Sequence, residues 1–225
     1  MNTPLLPCVE VQTAVSPVAS VIWLHGLGAD GHDFEPIVPA LDLPPALPLR
    51  FVFPHAPVRP VALNAGMRMR AWFDIYGLTP DSRLDEQGIR ESSAEIARLV
   101  ARENEYGVPP QRVVLAGFSQ GGAVALHTGL CAAQPPAAMM GLSTFLPLSE
   151  SLTAEYRPDA GDMPVFMAHG KRDEVVPYQW GEKSMSYLKS MGYEVEWHTY
   201  TAGHGVGPEE IRDIRAWLMT VLLAG

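Results

Sequence analysis

Several features that would assign a chain to a common class are missing from this sequence. It has only two cysteines, Cys8 and Cys131, and no CxxC or Cys/His pair at zinc spacing, so we expect reduced thiols and no metal site. No Lys/Arg cluster interrupts a net charge of −9, which argues against a nucleic-acid partner. No stretch approaches the ~18 apolar residues of a membrane helix, and the N-terminus lacks the basic and apolar regions of a signal peptide. These absences predict a soluble, cytoplasmic protein without stable membrane insertion.

The sequence does contain a regular alternation of two patterns. Short runs rich in Val, Ile and Phe alternate with helical patterns, which predicts a mostly parallel sheet covered by helices. The chain has 225 residues with no repeat and no linker, so we expect residues 1–225 to form a single domain. The predicted strands are Val9–Val15, Val18–Leu24, Arg50–Phe53, Arg112–Phe118, Ala138–Ser143, Pro164–Ala168 and Glu194–Tyr200, the last near an edge because it alternates. The predicted helices are Asp85–Tyr106, Gln120–Cys131, Tyr178–Met191 and Pro208–Leu222.

The stretch Pro54–Pro80 shows little periodicity and resists assignment. It holds Asn64, Gly66 and the run Trp72-Phe73-Asp74. A loop of this length in a compact domain is usually either functional or a misread element. It should leave from the carboxyl end of a strand, where α/β proteins bind ligands, so we interpret it as functional.

The motif with the most specific chemistry is Gly117-Phe118-Ser119-Gln120-Gly121, which matches the nucleophile-elbow pattern G-x-S-x-G. A buried strand, Val113–Ala116, precedes it and an apolar helical run follows it. A strand–Ser–helix turn is tight, so it needs glycines on both sides, and it raises the hydroxyl above the sheet at the positive end of the helix. An ordinary strand–helix turn that contains a serine is the alternative, which these flanks disfavour. The motif predicts Ser119 as a nucleophile.

A serine hydroxyl needs a base, and the elbow implies the chain order Ser, acid, His. Beyond the helix that carries His127, three histidines follow Ser119. His198 lies inside the alternating strand, and His169 ends a buried strand before any suitable acid. His204 lies in a glycine-flanked loop between the last strand and the last helix, so we predict it as the base.

The acid should follow the preceding parallel strand, Pro164–Ala168. Asp173 fits this position, because Asp159 and Asp162 precede the strand and should lie at its far end. Glu174 is a close rival that the sequence alone does not exclude. The carboxylate would fix the imidazole tautomer and stabilise the imidazolium.

Attack on an ester builds an oxyanion that two backbone N–H groups must face. We expect one from Gln120, directly after the nucleophile, and one from Leu27, in the glycine-rich loop after an early strand. Such a loop could instead hold a phosphate, but neither G-x-G-x-x-G nor G-x-x-x-x-G-K-[ST] is present.

With these residues in place, the chain resembles the phospholipase/carboxylesterase family, which includes the acyl-protein thioesterases. The matching pieces are Leu24-His25-Gly26-Leu27-Gly28-Ala29-Asp30, Met69-Arg70-Ala71-Trp72-Phe73-Asp74, Gly117-Phe118-Ser119-Gln120-Gly121-Gly122, His169-Gly170 with Asp173, and Gly203-His204. The resemblance implies an α/β-hydrolase fold, with a mostly parallel central sheet, helices on both faces and no large lid. It also implies a homodimer, as members often form, and places Trp72 near the substrate cleft. A buried core aromatic is the alternative for Trp72.

The residues and the resemblance together predict a serine carboxylesterase that cleaves short- to medium-chain esters through an acyl-enzyme, with a small-molecule ester or acyl substrate and no metal or organic cofactor. An acyl-protein thioesterase or lysophospholipase with the same triad is the alternative. A binding protein that has lost catalysis is the remote one, disfavoured because Ser119, Asp173 and His204 are all present. The segment Thr144–Asp162, rich in Leu, Pro and Ser, could border the acyl pocket.

Overall fold

A seven-stranded sheet forms the centre of the computed structural model, which describes residues 4–77, 79, 82–149 and 163–223. The strand order is β1-β3-β2-β6-β7-β8-β9, with β1 antiparallel to β3 at one edge and the remaining pairs parallel. These strands are β1 (Cys8–Gln12), β2 (Ala19–Leu24), β3 (Leu49–Pro54), β6 (Val113–Phe118), β7 (Ala138–Leu142), β8 (Val165–Gly170) and β9 (Val195–Tyr200). β9 forms the other edge, which confirms the interpretation of its alternating pattern.

Helices cover both faces of this sheet, as predicted. They are α1 (Ile37–Leu41), α2 (Glu86–Glu105), α3 (Gln120–Cys131), α4 (Tyr178–Ser190) and α5 (Pro208–Leu223). Because side chains alternate along a strand, Val21 and Trp23 of β2 pack with α1 and α5, whereas Ile22 and Leu24 pack with α2 and α3. α4 joins the second face around Met167 of β8. A parallel sheet buried on both faces explains the continuous apolar runs of its strands.

The parallel strands bring the predicted site residues to one edge of the sheet. Leu24 at the end of β2 pairs with Gly117 of β6, and Phe118 pairs with Leu142 at the end of β7. The loops that follow β2, β6, β8 and β9 therefore leave from the same edge, where open α/β sheets bind ligands.

The structure differs from the sequence predictions in four places. β1 ends at Gln12, because the chain turns at Ser16 with a φ of 63° and Val15 is 91% exposed. The stretch Pro54–Pro80 contains a hairpin of β4 (Val58–Val61) and β5 (Met67–Arg70), joined through a 3-10 turn. β8 runs two residues beyond Ala168, and the short helix α1 was not predicted.

None of the helices within the described residues is both long and apolar enough to cross a membrane. Of the segment Thr144–Asp162, only residues 144–149 lie within the described ranges, so its expected border with an acyl pocket falls mainly outside them.

Candidate active site

Ser119 occupies a strained turn between β6 and α3. Its φ of 53° and ψ of −121° are unusual for a residue with a side chain, and the neighbouring glycines allow the turn to close. A Cβ on Gly117 would lie 2.4 Å from the backbone of Gly121, and one on Gly121 would lie 2.4 Å from the carbonyl oxygen of His25. The strand–Ser–helix turn predicted from the motif is confirmed, along with its need for glycine.

A hydrogen-bonded chain joins Ser119 to the two residues predicted to act with it. His204 Nε2 lies 3.0 Å from Ser119 Oγ, and His204 Nδ1 lies 2.8 Å from Asp173 Oδ2. Because the carboxylate can only accept, Nδ1 carries the proton and Nε2 presents its lone pair to the serine hydroxyl. This tautomer is the one that a general base at Nε2 requires.

Asp173 is buried in the loop after β8 and fully engaged. Its Oδ1 accepts the backbone N–H groups of Val175 and Val176 at 2.9 and 2.8 Å, which leaves Oδ2 for His204. Its rival Glu174 is exposed on the same loop. The structure therefore brings Asp173, and not Glu174, to the imidazole.

His169 is a buried neighbour of this carboxylate for which sequence reasoning gave no role. Its Nε2 lies 2.9 Å from the carbonyl oxygen of Val176 and 3.4 Å from Asp173 Oδ2, so Nε2 carries the proton. Burial lowers the pKa of His169 below its usual value, which keeps the ring neutral. The sequence signal was its position, four residues before Asp173 at the end of a strand.

The two expected oxyanion donors, the N–H groups of Leu27 and Gln120, belong to two segments next to Ser119. Gln120 begins α3, and Leu27 follows Gly26, where a Cβ would lie only 3.5 Å from Ser119 Cβ. Within the described ranges, neither N–H donates to another protein group. Gly28, with a φ of 79°, donates its own N–H to Arg70 O at 2.9 Å and so ties the loop to β5. The arrangement leaves two unoccupied donors beside the serine.

His25 supports the loop that carries Leu27. Its Nε2 accepts the backbone N–H of Ala56 at 3.1 Å, and its Nδ1 lies 2.7 Å from Gly26 O, so Nδ1 carries the proton. Burial lowers the pKa of His25 to about 4. The neutral imidazole of His25 therefore links the backbone of this loop to the backbone at Ala56, which is a structural role.

Trp72 lies beside the site but does not line an open cleft. Its side chain is 0% exposed, and its indole N–H donates to His25 O at 2.9 Å. Its backbone N–H donates to Gln120 Oε1 at 2.8 Å. The structure therefore places Trp72 near the site, as the resemblance implied, and buries its ring, as the alternative had it, and substrate binding by Trp72 stays a prediction.

No group of three or more His, Cys, Asp or Glu side chains is arranged to hold a metal ion within residues 4–77, 79, 82–149 and 163–223. The polar groups gathered around Ser119 are instead a hydroxyl, an imidazole, a carboxylate and backbone N–H groups. These are the groups that acyl transfer through a serine requires.

Comparison with known proteins places this geometry in a family. The model of the family described as Phospholipase/Carboxylesterase matches residues 6–222. Acyl-protein thioesterase 1 of Mycosarcoma maydis is 39% identical, with 96% of each chain covered, and that of Yarrowia lipolytica is 36% identical, with 96% of this chain and 97% of the relative covered. The crystal structure of Zea mays acyl-protein thioesterase 2 superposes with a TM-score of 0.82 at 31% identity, over 96% of this chain and 99% of that one. The chain belongs to the phospholipase/carboxylesterase family and is a serine hydrolase with the α/β-hydrolase fold.

Proposed function

We propose that this protein hydrolyses acyl thioesters, with oxygen esters as secondary substrates, through an acyl-enzyme on Ser119. The observation that carries the proposal is the chain Ser119–His204–Asp173, with links of 3.0 and 2.8 Å beside two unoccupied N–H donors. The names of the relatives at 36% and 39% identity, acyl-protein thioesterases, favour the thioester over the carboxylic ester that the motifs first suggested.

Acylation of the serine uses the tautomer set by Asp173. His204 Nε2 takes the hydroxyl proton as Ser119 Oγ bonds to the acyl carbon, and the carbonyl oxygen becomes an oxyanion facing the N–H groups of Leu27 and Gln120. When the oxyanion collapses, the bond from the acyl carbon to the leaving sulfur or oxygen breaks. The imidazolium returns its proton to the leaving group.

Deacylation repeats the sequence with water. His204 Nε2 takes a proton from water as the water oxygen bonds to the acyl carbon, and the bond to Ser119 Oγ breaks with return of the proton to the serine. A thiolate is a better leaving group than an alkoxide, because the pKa of a thiol, about 8.5, is well below the pKa of an alcohol. Cleavage of a thioester therefore depends less on proton donation by His204 than cleavage of the matched oxygen ester.

A cytoplasmic location and a homodimer form part of the same proposal. Within the described residues, neither Cys8 nor Cys131 forms a disulfide, which supports a reducing compartment. The homodimer rests on the family resemblance, and sedimentation of the purified protein would test it.

The decisive experiment compares two acylated peptides of the same sequence, one octanoylated on a cysteine sulfur and the other on a serine oxygen. We expect a higher kcat/KM for the thioester, and a loss of at least about 10³-fold on both substrates in Ser119→Ala. Ser186→Ala, at an exposed position of α4, is the matched control and should behave as the wild type.

Two other outcomes would contradict parts of this proposal. A higher kcat/KM for the oxygen ester would favour the carboxylesterase. Retention of activity in Ser119→Ala would overturn the assignment of the nucleophile.

A further inference from the structure

We propose that Trp72 and the side chain of Gln120 form a clamp that sets the spacing between the two oxyanion donors. The donors come from segments far apart in sequence, at Leu27 and Gln120, and must converge on one oxygen atom. This inference rests on the proposed function, because it concerns the geometry in which Ser119 reacts.

The first link of the clamp is the side-chain amide of Gln120, which is 3% exposed. Its Oε1 accepts the backbone N–H of Trp72 at 2.8 Å, and its Nε2 donates to Phe73 O at 2.7 Å. The amide meets a donor at one end and an acceptor at the other, so its orientation is fixed. The residue whose backbone N–H faces the oxyanion thus grips the chain at residues 72–73 with its own side chain.

The second link runs from Trp72 to the other donor. The indole N–H donates to His25 O at 2.9 Å, and His25 precedes Leu27 by two residues. The Trp72 carbonyl in turn accepts a hydrogen bond from Ser92 of α2. Trp72 is therefore fixed by hydrogen bonds at its backbone and at its indole N–H. The position of the indole in turn fixes the position of the His25 carbonyl.

Together the links close a circuit from the Gln120 backbone through its side chain, Trp72 and His25 to Leu27. The circuit is short, because a Cβ on Gly121 would already lie 2.4 Å from His25 O. Oxyanion donors accelerate a reaction only when they are held in place before charge develops. Misplacements of about 0.5 Å are enough to lose the productive geometry of a catalytic site. Loosening the clamp should therefore raise the barrier to reaction and leave ground-state binding intact.

A second buried tryptophan offers a matched control. Trp23 of β2 is 1% exposed, and its indole N–H has no hydrogen-bond partner within the described ranges. Trp72→Phe and Trp23→Phe each remove a buried indole from the same domain. Only the first removes a hydrogen bond that reaches an oxyanion loop.

The experiment measures kcat, KM and the thermal midpoint for both variants, and the inhibition constants of two ketones of equal chain length. A trifluoromethyl ketone adds to Ser119 and carries the oxyanion, whereas the methyl ketone stays planar. For Trp72→Phe we expect kcat to fall about tenfold with KM unchanged, and the inhibition constant of the trifluoromethyl ketone alone to rise by the same factor. Trp23→Phe should lower the midpoint and keep kcat.

A third variant tests whether the two links act as one unit. Gln120→Met removes both side-chain hydrogen bonds at similar length, and combining it with Trp72→Phe should cost no more than the larger single change.

Wild-type kcat in Trp72→Phe, or full additivity in the double variant, would overturn the clamp. Ser119→Ala in the same assay separates the two proposals. Activity that survives in Ser119→Ala overturns the proposed function, whereas an inactive Ser119→Ala beside a fully active Trp72→Phe overturns the clamp alone.

Discussion

At the scale of single residues, the backbone of Ser119 combines a chemical role with strain. A φ of 53° with a ψ of −121° brings the side chain against its own backbone, and such conformations cost about 1–3 kcal/mol. The strained conformation is kept in place by the close packing of β6 against α3, which Gly117 and Gly121 allow. The strained turn places the hydroxyl 3.0 Å from His204 Nε2.

Replacing Ser119 by glycine should therefore release strain that Ser119→Ala retains. Glycine adopts this backbone conformation without strain, which stabilises the folded variant. Its greater entropy in the unfolded chain offsets part of that gain, so we expect Ser119→Gly to be about 1 kcal/mol more stable than Ser119→Ala. Urea unfolding of the two inactive variants measures the difference. On α4, where the backbone is helical, the same exchange at Ser186 should have the opposite sign by about 1 kcal/mol. A Gly variant less stable than the Ala variant at both sites would contradict stored strain.

The sequence predicted the members of the hydrogen-bonded chain because strand order fixes which loops meet. The sequence alone did not exclude Glu174 as the acid. The structure distinguishes the two carboxylates, because Asp173 contacts His204 and Glu174 is exposed. Sequence reasoning assigned no role to His169 and none to the indole of Trp72 in holding His25. Those roles depend on contacts between segments that no local pattern encodes.

At the scale of elements, the first turn of α5 holds a buried carboxyl group. Glu210 is the third residue of the helix, and the backbone N–H of Gly207 donates to its carboxyl group. Its Oε1 has no partner in the part of the chain that the structure describes. Burial, with a smaller contribution from Asp213, raises the pKa of Glu210 to about 8. The folded protein therefore keeps this proton at neutral pH.

This proton should make stability depend on pH. Between the ordinary carboxyl pKa of 4.5 and about 8, the unfolded chain is ionised at Glu210 and the folded chain is not, so this group lowers stability as pH rises. Its contribution is about 1.4 kcal/mol per pH unit. Urea unfolding from pH 5 to 8 should show that Glu210→Gln gains stability relative to the wild type with rising pH. Glu209→Gln, at the exposed neighbour, should run parallel to the wild type, and parallel behaviour of Glu210→Gln would refute the shift.

Element boundaries were predictable where a pattern was long. The four predicted helices begin and end within one residue of their predicted limits, because apolar stripes and flanking turns mark them. The hairpin of β4 and β5 escaped prediction because each strand has four residues and Pro60 interrupts the first. α1 escaped for the same reason, with five residues that include Pro39.

At the scale of the whole molecule, one sheet connects nearly every described element. Seven strands share it, and the helices on its two faces pack on alternate side chains of the same strands. We propose on this ground that residues 1–225 form one domain. Neither face could lose its helices without exposing the sheet that supports the other.

A single domain of this kind should unfold in one transition. Trp23 and Trp217 report on the face of α1 and α5, whereas Trp72 reports on the opposite face, so fluorescence samples both layers. We expect fluorescence, far-ultraviolet circular dichroism and esterase activity to be lost with coincident midpoints in urea. A fluorescence change that precedes the loss of circular dichroism would indicate layers that unfold separately.

The order in which the sheet is assembled has a consequence for synthesis. The serine emerges from the ribosome with the central strand β6, but its imidazole follows β9, an edge strand that is made later. A nascent chain therefore carries the nucleophile for some 85 residues before the base that activates it exists. The site can act only after residue 204 has been made and β9 has joined the sheet, so the order of synthesis sets when this chain becomes reactive.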